Sequence, residues 1–164
     1  MRFALDGYYR LLKVLLTVLM TVLIVPVTMQ ILSRYTGLIP RYIWTEEIAR
    51  FCFVWLIMIG AMIAVRDGTH FDVDVLPHTD NPTIEFGFRT FVNLAILAMA
   101  MAFVWWGWDF YKLGARQQSE ISGLPMLAMY IAWPIAGVTW AVFTMERIWD
   151  DMTNLRKGAS YGAR

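Results

Sequence analysis

Residues 51–65, FCFVWLIMIGAMIAV, contain no charged side chain. Glu46, Glu47 and Arg50 precede them, and Arg66, Asp67, Gly68, Thr69 and His70 follow. A helix that is apolar on every face has no side to offer water, so this run demands lipid or other lipid-embedded helices around it. The charges at its two ends mark where it meets water.

Composition extends that constraint to the whole chain. The 164 residues are 59% hydrophobic and 16% charged, too apolar for a soluble domain. The expected fold is all-α: an integral membrane bundle of four transmembrane helices spanning about 10–35, 40–66, 85–112 and 125–149. These spans form a single domain, 1–151, followed by a flexible tail, 152–164. Residues 1–13 carry Arg2, Arg10 and Lys13 and are expected to lie on the membrane surface. A signal peptide fits less well, because the apolar run 14–32 exceeds the roughly 7–15 residues of a leader core and no small-x-small site ends it.

Local signals place the helix ends. Pro26 and Pro134 each remove a backbone donor and favour a kink. Gly37 suits a left-handed cap. Pro40 suits a first helical position, and from there to residue 65 a helix is about 39 Å long. The hydrocarbon core is only about 30 Å, so helix two is expected to carry an interfacial N-terminal extension. Glu46 and Arg50 stand four apart in that extension and can pair. Trp44 sits at headgroup depth. Gly60 and Ala64, and again Gly137 and Ala141, have the spacing that lets another helix approach closely. Trp105, Trp106, Trp108 and Tyr111 form an interfacial belt.

The chemistry is notable for what is missing. A net charge of +1 offers no basic surface, so nucleic acid is not a partner. One cysteine, Cys52, excludes an internal disulfide and a paired-thiol centre. His70, Asp72, Asp74 and His78 share one loop, but the spacing is loose and one segment would supply every ligand. Zinc wants three or four ligands held by a supporting shell, so these groups are expected to orient one another and hold the helix end. No helix centre carries an acid, a base or a histidine, which ion-coupled carriers and proton relays use. No cofactor is expected. A small membrane protein without chemistry of its own is most simply a subunit.

Four spans put both termini on one side. That side holds Arg2, Arg10, Lys13, Arg66, Arg89, Arg147, Arg156, Lys157 and Arg164; the other holds Arg34, Arg41, Arg50, Lys112 and Arg116. Nine against five favours cytoplasmic termini.

The order of features resembles the small membrane subunit (DctQ family) of tripartite ATP-independent periplasmic (TRAP) transporters. The carrying residues are Trp44-x-Glu46-Glu47-x-x-Arg50, Gly60-Ala61, Arg66-x-Gly68-x-His70-x-Asp72-x-Asp74, and Leu124-Pro125 with Tyr130 and Pro134-Ile135-x-Gly137. The resemblance covers about residues 8–150. It implies residence in the bacterial inner membrane and a heterodimer with a large membrane subunit that carries the substrate and sodium sites. It also implies a periplasmic substrate-binding protein as the delivering partner. Trp44, Glu46, Glu47 and Arg50 would then face the periplasm, and Arg66, His70 and Asp72 the cytoplasm. Two other readings stay open: an adaptor or assembly subunit of another membrane complex, and a small membrane enzyme using the 70–74 loop.

Overall fold

The computed structural model describes residues 2–36, 40, 42–68, 82–119 and 123–156. These residues are almost wholly helical: α1 (Arg2–Thr36), α2 (Ile43–Asp67), α3 (Pro82–Arg116), α4 (Leu127–Tyr130) and α5 (Ala132–Arg156). Four stretches are long and apolar enough to cross a membrane: Leu5–Thr36, Trp44–Asp67, Thr90–Arg116 and Leu127–Asp150. The all-α four-span expectation holds.

The helices do not close into a ring. In space α1 lies on α2, α2 on α5, and α5 on α3, with no close backbone approach of α1 or α2 to α3 among the described residues. The result is an open row with α5 in its middle. The tightest seam is α3 against α5. Ala100, Gly107 and Gly114 are seven apart on α3 and so share one face. A Cβ on Gly107 would lie 2.9 Å from the nitrogen of Pro134, and one on Gly137 would lie 2.8 Å from the carbonyl oxygen of Ala100. Small residues let the two backbones touch, which is how helices gain packing energy where lipid already satisfies apolar surface. Ala100, Ala132 and Ala136 are completely buried there. Phe103 fills the adjoining space between the rings of Trp133 and Trp140, with centroids 5.2 and 4.7 Å away. The Gly60 face of α2 meets Leu16 of α1 at a looser 3.9 Å.

Several boundaries differ from the sequence expectation. α1 is continuous from Arg2, so its first turns are no separate surface piece: Leu5 and Tyr8 pack on the core and Leu12 is buried. The spacing 5, 8, 12 puts these three on one helical face. Helix two begins at Ile43, not at Pro40, because the hydroxyl and amide of Thr45 both bond the Tyr42 carbonyl and close the first turn there. Pro125 is not a first helical residue. It pairs with Gln118 in a short antiparallel bridge, and the Ser119 amide donates to the Leu124 carbonyl at 2.9 Å. The fourth span is two helices, α4 and α5, parted at Ile131. Pro134 has no amide to donate to the Tyr130 carbonyl, so the turn before it loosens. Helix α5 runs on to Arg156, so the first five residues of the expected tail are helical. Gly37 lies outside the described residues, and the left-handed cap that is seen is Gly68, with φ 75°.

Candidate functional site

The polar groups gather at the two ends of α2, and the two ends are built differently. At its start, Tyr42 and Trp44 are exposed and their rings tilt together at 6.0 Å. One turn on, the Arg50 guanidinium donates to the Glu46 carboxylate at 3.2 Å. Both side chains are open to solvent, 62% for Arg50 and 70% for Glu46. Glu47 behaves otherwise and turns its Oε2 inward, out of solvent. The two neighbouring carboxylates therefore differ: Glu47 belongs to the packed helix end and Glu46 faces outward. Deeper along α2, the indole N–H of Trp55 donates to the Ala128 carbonyl of α4 at 2.9 Å, tying α2 to the broken fourth span.

At the other end Arg66 is a hub. Its guanidinium pairs with Asp6 of α1 and lies 3.5 Å from Glu146 of α5. It also stacks over the rings of Tyr9, at 5.2 Å, and Phe143, at 5.0 Å. Only 17% of the Arg66 side chain is exposed, against 22% for Glu146. A planar cation suits this place, because it can face two carboxylates and lie near two aromatic rings at once. Around it, the Tyr9 hydroxyl donates to the Asp67 carboxylate and the Lys13 ammonium sits 4.3 Å over the Tyr9 ring. Gly68 closes the end: a Cβ there would strike the Arg147 guanidinium. Three helices from distant parts of the chain are thereby locked at one membrane surface.

Of the residues picked out from the sequence, Trp44, Glu46, Glu47 and Arg50 come together at one end of α2 and Arg66 stands at the other. His70 and Asp72, with Asp74 and His78, lie outside the described residues. The sequence did not point to Asp6, Tyr9 and Glu146 as partners of Arg66, or to Arg147 as the neighbour of Gly68. They are about 60 and 80 residues away, and no spacing rule joins them; the one available signal was that all belong at the same membrane depth. Among the described residues no group of three histidine, cysteine or acidic side chains is gathered as metal ligands would be. The described helices thus offer structural charge at their ends and apolar surface between.

Comparison with known proteins places this arrangement. Residues 23–154 match the family model described as "Tripartite ATP-independent periplasmic transporters, DctQ component". A "Putative TRAP transporter small permease protein" of Haemophilus influenzae is 29% identical over 104 residues, which are 63% of this chain and 65% of that one. The sialic acid TRAP transporter small permease protein SiaQ of Vibrio cholerae is 25% identical over 82% of this chain and 77% of its own. The sialic acid TRAP transporter permease protein SiaT of Haemophilus influenzae is 29% identical over 80% of this chain but only 21% of its own length. The chain thus spans less than two thirds of the first two Haemophilus relatives. With most of its length matched by one family model, the chain belongs to the DctQ component family of tripartite ATP-independent periplasmic transporters.

Proposed function

We propose that this protein is the small scaffold subunit of a secondary-active TRAP transporter in the bacterial inner membrane, bracing a large transport subunit. The observation that carries the reading is the lack of any acidic, basic or histidine side chain along the centres of its four spans, 14–33, 51–65, 91–108 and 127–145. Moving a charged solute or an ion through lipid calls for such groups, so the work belongs to a partner. Relatives add support: in SiaT, and in the isethionate TRAP transporter permease protein DctMQ, the stretch like this chain is 21% of a longer permease polypeptide. A covalent link there holds the matching stretch at high effective concentration beside the rest of the permease, which fits a bracing role for this stretch.

The transported solute is an organic anion. Sialic acid and isethionate, named for the relatives, are a carboxylate and a sulfonate. Selection among anions rests with the large subunit and the periplasmic binding protein, and sodium coupling with the large subunit. Both termini face the cytoplasm, as the basic residues favour. The exposed Tyr42, Trp44, Glu46 and Arg50 then face the periplasm and help receive the binding protein.

Reconstitution tests this. Vesicles holding this chain, its large permease partner and the binding protein should accumulate the anion, while vesicles with this chain alone should not. Accumulation by this chain alone would end the scaffold reading. Protease added outside spheroplasts should leave tags at both termini intact.

A further inference from the structure

The helices associate as two pairs. In the first, α1 lies along α2; in the second, α3 lies along α5; the α2–α5 seam between them is thinner than either. Among the described residues α1 makes no close backbone approach to α5, so side chains carry what passes between those two. The polar links follow the same division. Within the first pair, Asp6 of α1 pairs closely with Arg66 of α2, and the Tyr9 hydroxyl donates to Asp67. Across the pairs, Arg66 Nη1 lies 3.5 Å from the Glu146 carboxylate, and that nitrogen makes no hydrogen bond although it is out of solvent. A second cross-pair contact is neutral, between the Tyr8 hydroxyl and Thr139 Oγ1 at 3.0 Å. Beside it an apolar groove of about 440 Å³ parts Leu5 and Tyr8 of α1 from Val138 and Val142 of α5. Midway along α2 the grip is firmer, where the Trp55 indole donates to the Ala128 carbonyl at 2.9 Å.

We propose that the two pairs rock against each other along the α2–α5 seam, pivoting near Trp55, and that the Arg66–Glu146 and Tyr8–Thr139 contacts are the latch that holds them closed. Close links inside a pair and loose ones between pairs make each pair the unit that moves, as in other hinge and shear transitions. The α3–α5 seam stays shut, because its backbones touch at Gly107 and Gly137 and cannot slide without a clash. The α1–α5 boundary has no such contact, and its groove can widen. From Trp55 to Arg66 the lever arm is about 16 Å along α2. When the latch opens, Arg66 keeps Asp6, and Glu146 meets water at the membrane surface. A scaffold built this way yields at one membrane surface while it holds elsewhere. That use rests on the scaffold reading above; the rocking itself does not.

Distances between pairs of nitroxide labels, measured by pulsed electron spin resonance on the full chain in bilayer discs with the large subunit bound, test the latch. The buried Cys52 is first replaced by alanine. Exposed positions then take cysteine: Arg10 with Met145 across the latch, Leu94 with Trp149 inside the second pair, and Phe53 with Leu124 across the pivot. The variant Tyr8→Phe, Glu146→Gln removes both latch contacts and leaves Asp6 on Arg66. The expected result is a 10–145 distance that lengthens by more than the width of the parent distribution, with the 94–149 and 53–124 distances unchanged. An unchanged 10–145 distance overturns the proposal. So does a common shift of all three, since the pairs are then not the moving units. In either case co-purification of the two subunits leaves the scaffold reading standing. Should the unsubstituted subunits fail to co-purify, that reading falls, and the same distances in this chain alone still decide the rocking.

Discussion

Each end of α2 carries an arginine with a carboxylate partner, and the two pairs differ in everything else. Arg50 and Glu46 sit four residues apart on one helix and are mostly in solvent. Arg66 is mostly out of solvent and reaches Asp6 and Glu146 on two other helices. A surface i,i+4 pair is worth about 0.3–0.5 kcal/mol, since water already solvates both ions. A sequestered arginine is another matter, because removing it strands Glu146, whose side chain is only 22% exposed. One end of the molecule is therefore a lock and the other is free to be a contact surface.

The sharpest way to break that contrast is Arg66→Met. It keeps the apolar stem but leaves Glu146 without its cation. We expect a loss of about 3 kcal/mol, seen as a drop in Tm in detergent. Adding Glu146→Gln should restore part of the loss, because the stranded charge is gone; Glu146→Gln in an otherwise unchanged protein should cost less than Arg66→Met. Equal, independent losses would mean that the two side chains do not act together.

Gly68→Ala tests the same end through its backbone. An alanine at φ 75° costs about 1–2 kcal/mol, and its methyl must also displace Arg147. Trp55→Phe tests the other half of α2. It removes one hydrogen bond across to Ala128 while keeping an aromatic ring, so about 1 kcal/mol is expected. If Trp55→Phe proved costlier than Arg66→Met, the Arg66 end would lose its claim to be the lock.

The contrast also explains what could be read from the sequence. The four spans were legible because lipid imposes one simple rule, about 20 apolar residues between charges. The Glu46–Arg50 pair was legible because helical neighbours are set by spacing alone. The Arg66 cluster was not, since depth in a membrane says which residues share a level and not which of them touch. The Gly137 seam was visible as a small-residue pair, but its partners Ala100 and Gly107 are seven apart, outside the four-residue motif. The onset of helix two at Ile43 depended on Thr45 closing a turn on Tyr42, a choice that competes evenly with a start at Pro40. The break at Ile131 followed from Pro134, whose effect was expected as a kink and appears as two helices.

The smallest effect on stability is expected at the Glu46–Arg50 pair, and it is also the most informative. The double variant Glu46→Gln, Arg50→Ala removes both charges, so neither is left stranded. With both side chains mostly in solvent, its stability should stay within about 0.5 kcal/mol of the parent, with Tm little changed. Transport should respond differently. If these residues help receive the binding protein, losing rim charges slows encounter, and half-maximal uptake should require about threefold to tenfold more binding protein, with the maximal rate little changed. The gap between variant and parent should shrink as salt is added, because screening weakens the same attraction in the parent. A variant with unchanged uptake at every binding-protein concentration would make the pair a solvated collar on α2. A variant with a sharply lowered Tm would place it in the lock instead, and the two ends of the helix would no longer differ.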